Sequence, residues 1–403
     1  MSTAPAVPED AADAGEIAAA LREAPFVRVV AAADGDALAA SGVLARACRE
    51  RSTPFQVRVD PIPNLTPGEG DDLVVGVGAA GGDVALAGAE PASLVAAAAA
   101  RELGVDPDPT LALAGVATAD RPLDSGDAAV LLDAARERTA VERRPGVATP
   151  TPDLADGLAH STLVSAPVSG DPEMAREALS RLDLPSDPTE EDRRRLASWL
   201  AIEATASSAR ATEAVERALR PHATPDARVA TIEGFGDALD AVARERPGTG
   251  VALAIRDGGP VTATLDAWRG HARAVHEALT TATTGRYDGV FVARVDEADP
   301  GRLGTVARLC RDFQSPEPVV LVVGGAATAA GSDGAATAAG SDGAATAAAA
   351  ASVDDARLAD ATREAVQSVD GDGTSAGDAR RATARFDADG EVSRFITAFR
   401  EAL

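Results

Sequence analysis

The chain contains no lysine: all 38 basic residues are arginine, set against 63 aspartates and glutamates, for a formal net charge of −25. Such an excess repels itself in dilute salt, and molar ionic strength, where the Debye length falls to about 3 Å, relieves the repulsion. The balance predicts a high-salt cytoplasm, with genomic bias toward Ala, Arg, Gly and Asp as a contributing cause. Net charge then loses its usual meaning for nucleic-acid binding, because phosphate contacts depend on basic side chains and weaken with salt, and only local arginine clusters stay informative. Cysteine is nearly absent too. Cys48 and Cys310, far apart in 403 residues, make neither a disulfide framework nor a zinc pattern and are expected as buried small hydrophobes. No charge-free run of about 18 apolar residues occurs. The opening MSTAPAVPEDAADAG lacks a positive stretch ahead of an apolar core. Together these absences predict a soluble, cytoplasmic protein that neither spans a membrane nor is exported. Histidine is scarce as well: His160, His222, His271 and His276 are the full set. None follows an N-terminal strand, and His271 and His276, five residues apart on one helix, point about 140° apart. They are expected as isolated surface or linker residues, not ligands.

What is present is 45% hydrophobic sequence, too much for one compact core and enough for two domains. Residues 9–22 read as an amphipathic helix, 26–32 (FVRVVAA) as a buried strand, and 37–51 as a second helix. Further strands are predicted at 55–59, 73–77 and 84–87, with helices at 92–103 and 110–119, an alternation that implies a mostly parallel sheet. Residues 146–190 are rich in Pro, Ser, Thr and Asp, with helices expected at 153–160 and 172–182. A longer helix over 190–219, started by Thr189 and a run of acidic residues, serves as connector. Beyond it the pattern predicts strands at 229–232, 251–255, 289–295, 318–323 and 381–386. Helices are predicted at 235–244, 265–280, 303–313, 353–367 and 392–403. The expected fold is α/β, with a first domain over 1–188, a helical connector over 189–224 and a smaller α/β domain over 225–403. The nine-residue unit GAATAAGSD stands twice in full and begins a third time between Gly325 and Ala348. It matches no solenoid period, and its small side chains bury too little to offset ordering entropy, so 324–351 is expected to be a disordered insertion.

The most informative local feature is the acidic turn Ala32-Ala33-Asp34-Gly35-Asp36, after a buried strand and before a helix. Carboxylates at the carboxyl end of a parallel strand stand where α/β sheets build sites. Asp-Gly-Asp is also good turn and helix-cap chemistry. The longer segment VRVVAAADGDALAASGVLARACRE resembles the first motif of the DHH phosphoesterase superfamily. That group includes RecJ nucleases, the archaeal GINS-associated nuclease and the helicase-activating subunit of the eukaryotic CMG complex. Asp34 and Asp36 fall on the motif's two aspartates, while Ala32 stands at its histidine and Ala37 at its glycine. LVVGVG resembles the second family strand, with Gly76 at a metal-binding aspartate. VALAGAEP resembles the Asp-His-His signature, with Ala87, Gly88 and Ala89 at its three positions. LALAGVATAD continues the likeness, with Asp120 close to the last family aspartate. The resemblance is sharp over residues 26–120 and architectural elsewhere.

It implies an N-terminal DHH-type domain, a helical linker and a smaller DHH-associated domain. A two-metal phosphodiesterase needs several carboxylate and imidazole ligands holding ions about 4 Å apart, and this chain keeps Asp34, Asp36 and Asp120 as candidates. The reading that follows is a catalytically degenerate RecJ-like subunit of the DNA-replication machinery. Its implied partners are GINS and the replicative helicase, with single-stranded DNA as a further ligand. No cofactor is expected. The alternative is a divergent exonuclease or phosphoesterase using Asp34, Asp36, Asp120 and Asp83 as an all-oxygen site for Mn²⁺ or Mg²⁺. In the second domain, the turn Gly371-Asp372-Gly373 with Arg380 and Arg381 lies where the family has a glycine-rich substrate segment, making Gly373, Arg380 and Arg381 candidates for nucleic-acid contact. A Gly-Asp-Gly turn before a strand also stands without a ligand. Arg193 to Arg195 read as a solvated helix face.

Overall fold

The computed structural model describes residues 12–138, 141–185, 188–205, 210–225, 227, 229–256, 258–297, 299–325, 344–352, 357–369, 371–387 and 392–403. They pack as two compact units. The first comprises Met1–Leu163, Asp171–Ala201 and Val215–Gly270, the second Val164–Gly170, Ile202–Ala214 and His271–Leu403. Among the described residues no helix is long and apolar enough to cross a membrane.

The first unit opens with α1 (Ala14–Glu23), β1 (Phe26–Ala32), α2 (Gly35–Glu50), β2 (Phe55–Asp60), β3 (Asp72–Val77) and β4 (Val84–Leu86). The strands form a parallel sheet in the order β2-β1-β3-β4. It continues through α3 (Ala92–Glu102), α4 (Pro109–Thr118), α5 (Gly126–Arg138), β5 (Glu142–Arg143), α6 (Leu154–His160) and α7 (Pro172–Arg181). After α8 (Glu190–Thr205) and α9 (Ala211–Ala218) come β6 (His222–Ala223), α10 (Ile232–Glu245), α11 (Pro247–Ile255) and α12 (Val261–Thr281), with α8, α9 and α12 divided between the units after Ala201, Ala214 and Gly270. Alternation along β1 decides which side is core. Val27, Val29 and Ala31 are at most 1% exposed and join α2, α3 and α4 in one hydrophobic cluster, whereas Arg28 is exposed and pairs with Asp72.

The division corrects the boundary drawn at residue 225. Residues 215–270 belong to the first unit because α10 buries Ile232, Leu239 and Val242 in the cluster that holds Leu38 and Leu113. The strands expected at 229–232 and 251–255 are also corrected. Thr231 caps α10, its hydroxyl accepting from Gly234 N at 3.0 Å, so Ile232 after it starts a helix. Residues 251–255 are the last turns of α11, whose Pro247 occupies the first turn. A short apolar run carries no period that tells strand from buried helix.

The second unit contains β7 (Thr283–Tyr287), β8 (Val290–Val295) and α13 (Pro300–Leu309), which runs into a π-helical turn at Cys310–Gln314. It continues with β9 (Val319–Gly325), β10 (Ala344–Ala351), α14 (Leu358–Val369), β11 (Thr374–Gly377), β12 (Arg381–Asp387) and α15 (Val392–Ala402). Its sheet runs β11-β12-β10-β9-β8-β7, with β8 and β9 parallel and the other pairs antiparallel. Phe395 of α15 stacks on Phe386 of β12 at 4.3 Å between ring centroids. This pair anchors a core with Leu321, Val323, Leu358 and Phe399.

The insertion expected over 324–351 is corrected at both ends. Gly324 and Gly325 finish β9, and Ala344–Ala351 form β10 between β9 and β12; residues 326–343 lie outside the described residues. The pentapeptide AATAA occurs three times, but only the third copy is followed by Ala349, Ala350 and Ala351 instead of Gly-Ser-Asp. Those three positions are at most 4% exposed. A carboxylate there would be buried without a partner, which selects the third copy as strand.

Candidate functional site

The acidic turn closes β1 and opens α2. Asp34 is the helix cap, its Oδ1 accepting from Ala37 N at 2.8 Å. Its carboxyl is pushed up to about 6, mainly by burial and next by the charges of Asp36 and Asp240, against the opposing pull of the Ala37 N–H and Arg244. Asp36, in the first turn of α2, reaches across to α3: Oδ2 accepts from Ala92 N at 2.7 Å and Oδ1 from Ser93 N at 3.0 Å. The residue before that helix is Pro91, which supplies no side-chain cap, so Asp36 satisfies two N–H groups that the local sequence leaves open. The N–H of Gly35 donates to Asp240 Oδ1 of α10 at 3.0 Å, and Asp240 forms an ion pair with Arg244 one turn on. Sequence reading missed Asp240 and Arg244. Their Asp-x-x-x-Arg spacing is an ordinary helix pair, and nothing local ties it to Gly35, 205 residues away.

Asp120 ends α4 in the left-handed region at φ +57° and pairs with Arg217 Nε at 3.4 Å. Asp83 is committed to its own loop, accepting from Gly68 N at 3.1 Å and Val74 N at 2.7 Å. Ala87 is half-buried, Gly88 and Ala89 are exposed, and the Ala89 carbonyl accepts from Arg121 Nη2 at 3.1 Å. Around Gly76 there is no room for a side chain: a Cβ would stand 2.7 Å from Ala79 O and 2.8 Å from Gly81 O. Gly78, at φ +67°, folds over the turn so that a Cβ on it would lie 3.2 Å from Ala32 Cβ and 3.6 Å from Asp34 Oδ2. Among the described residues no three of His, Cys, Asp and Glu converge as metal ligands. The donor set therefore does not fit the Mn²⁺ or Mg²⁺ pair of the RecJ type. The misfit lies in the other ligand positions, where Ala32, Gly76, Ala87, Gly88 and Ala89 carry no donor side chain.

The histidines are corrected from surface residues to core residues, each at most 5% exposed. His160 Nδ1 meets Asp156 Oδ1 at 3.0 Å, with Arg269 on the same carboxylate. These partners hold the Asp156 carboxyl below its ordinary range against the opposing effect of burial. His222 Nδ1 meets Glu233 at 2.7 Å and His271 Nε2 meets Thr305 at 2.9 Å. Both cysteines are buried, and burial pushes their thiols up, Cys48 to about 11 and Cys310 to about 12, so neither is a nucleophile at neutral pH.

In the second unit, Gly373 is explained by packing, since a Cβ would meet Val366 Cγ1 at 2.6 Å. The backbone N–H groups of Arg380 and Arg381 donate to Asp378 Oδ1 at 2.6 and 2.9 Å.

Comparison with known proteins places this geometry. The crystal structure of Cdc45 from Entamoeba histolytica superposes with a TM-score of 0.56 at 8% identity, covering 96% of this chain and 97% of that one. RecJ from Thermus thermophilus, solved with Mn²⁺, gives 0.48 at 16% identity over 96% of this chain and 54% of that one. The fold is thus shared with Cdc45. Residues 282–401 match the family described as "Uncharacterized protein rrnAC1427, C-terminal domain". The protein rrnAC1427 of Haloarcula marismortui is 44% identical over 409 aligned residues, covering all of both chains. The chain belongs to the family of rrnAC1427.

Proposed function

We propose that this protein is a non-catalytic member of the RecJ-like DHH superfamily that works as a subunit of the DNA-replication machinery, binding GINS and the replicative helicase in a high-salt cytoplasm, with single-stranded DNA as a further ligand. The observation that supports the loss of catalysis is the lack of any metal-donating side chain at Ala32, Gly76, Ala87, Gly88 and Ala89, which leaves no three ligands together among the described residues. A hydroxide-generating metal pair requires ligands free to bind it. The fold shared with Cdc45 supports the replication reading, and a fold alone does not carry a function.

The test is a pair of assays in molar KCl. Purified protein incubated with 5′-labelled single-stranded DNA and Mn²⁺ is expected to leave the label on full-length strand. Tagged protein expressed in a halophilic host is expected to retain GINS and helicase subunits through a salt-washed purification. Degradation abolished by Asp34→Ala would reverse the first half of the reading and favour the exonuclease alternative. Failure to retain either partner would reverse the second.

A further inference from the structure

We infer that the turn at the end of β1 has become a structural latch, in which Asp36 ties α2 to α3, and that the cavity a metal pair would need has been taken over by backbone, so that returning the missing ligands does not return metal binding. Asp36 makes the first half of the case. Its two oxygens accept from the consecutive N–H groups of Ala92 and Ser93. A carboxylate in this position also faces the positive end of the α3 dipole. Pro91 provides no alternative acceptor. The bond spans 56 residues of sequence and joins two helices of the same core, so Asp36 is a tertiary tether.

The second half rests on volume. Gly76 lies in the middle of the sheet, register-paired with Val30 on one side and Ala85 on the other. The carbonyls of Ala79 and Gly81 stand within 2.8 Å of where its Cβ would be. Backbone oxygens do not yield as the end of a flexible side chain does, and the loop is pinned on both sides: Gly78 N donates to Leu86 O at 2.9 Å and Asp83 N to Val74 O at 2.9 Å. Gly35 is boxed in as well, its Cβ position 2.6 Å from Thr118 Cγ2 and 3.0 Å from Asp240 N. The loop has closed on Gly76, which stands at a ligand position, and α4 and α10 have closed on Gly35 beside Asp34 and Asp36. The inference does not depend on the identity of any partner: a failed GINS co-purification would sink the proposed function and leave the latch standing.

Three measurements test it. In Asp36→Ala, amide hydrogen exchange is expected to lose roughly tenfold protection at Ala92 and Ser93, with an intermediate loss in Asp36→Asn, which keeps one acceptor. Gly76→Ala, a single methyl, is expected to lower the melting temperature by roughly 5 °C through overpacking against the two carbonyls. The variant A32H/A87D/G88H/A89H, which returns four of the five missing ligands and leaves Gly76 intact, is expected to show a native circular-dichroism spectrum and no heat of Mn²⁺ binding by calorimetry. Unchanged exchange at Ala92 and Ser93 in Asp36→Ala overturns the tether. A silent Gly76→Ala, or Mn²⁺ binding by the four-site variant, overturns the claim that the cavity is filled.

Discussion

Replacing Asp237 by alanine is expected to lower the melting temperature by roughly 10 °C, corresponding to about 4 kcal/mol in a unit of this size. Asp237 lies on α10, 2% exposed, and receives three donors: Trp268 Nε1 at 2.8 Å, Thr162 N at 3.1 Å and the Thr162 hydroxyl. Trp268 and Thr162 are themselves at most 1% exposed. Truncation strands these donors where water cannot replace the acceptor, and an orphaned buried group costs about 1–3 kcal/mol. The indole also meets His160 edge-on at 5.6 Å between centroids, and His160 leads through Asp156 to Arg269, so loosening the ring disturbs a second polar network. Trp268→Phe removes a donor and keeps most of the packing, which predicts a smaller drop, about 1 kcal/mol. The double variant is expected to lose less than the sum of the two singles, because both remove the same hydrogen bond. Thermal unfolding in molar KCl, followed by near-ultraviolet circular dichroism, measures all three. A shift below about 2 °C for Asp237→Ala would mean that water reaches the site and that the network contributes little.

How much of this was legible in the sequence depended on how local each cause is. The first sheet was readable because its strands carry their own signature. FVRVVAA and DLVVGV are apolar runs bounded by turn residues, and the strand-turn-helix unit around Asp34 follows from local capping chemistry. The strand β10 was not readable. Alanine has poor strand propensity, and AATAAAAA becomes a strand because β9 and β12 supply hydrogen bonds on both sides, Ala348 lying opposite Val322 and Thr383. The C-terminal run of α11 failed for a related reason: Val251 to Ile255 fits strand and helix alike, and Gly250, packed within 2.8 Å of the Leu38 side chain at its Cβ position, settles the matter only in three dimensions. At the site, the sequence identified Asp34, Asp36 and the turn that carries them. It could not show that Asp36 belongs to α3 or that Asp240 belongs to Gly35, since both are long-range bonds between a side chain and a backbone group. The four histidines are the same lesson in reverse. Scarcity and scatter suggested surface residues, and burial with Asp156, Glu233 and Thr305 as partners is a property of the folded chain alone.

Asp34→Asn is expected to stabilise the protein at pH 7.5 by about 2 kcal/mol, with the gain disappearing as the pH approaches 4. Asparagine is as good a helix cap as aspartate, so the Ala37 N–H keeps its acceptor and the substitution isolates the charge. The folded-state carboxyl is raised from 3.8 to about 6. Below about pH 3.8 the group is protonated in both states and costs nothing. Between 3.8 and 6 the unfolded chain ionises first, and stability falls as pH rises. Above about pH 6 both states are charged and the full penalty persists. Other acids titrate over the same range, but they are common to both proteins and cancel in the difference. The salt dependence separates the causes. The repulsion from Asp36 and Asp240 is screened in molar KCl, whereas the burial contribution, the larger of the two, remains. The gain is therefore expected to shrink with salt without vanishing. Urea midpoints at pH 4 and pH 7.5, in low and high KCl, give the four values needed. An equal difference at both pH values would show that the charge on Asp34 is balanced in the fold. A Mn²⁺-dependent rise in wild-type stability, absent from Asp34→Asn, would show the balancing ion to be a metal and would reopen the catalytic reading. If instead the destabilising charge stands with no metal to offset it, Asp34 is retained at a cost its capping role does not require, and its carboxylate becomes the first position to vary in any assay of partner binding.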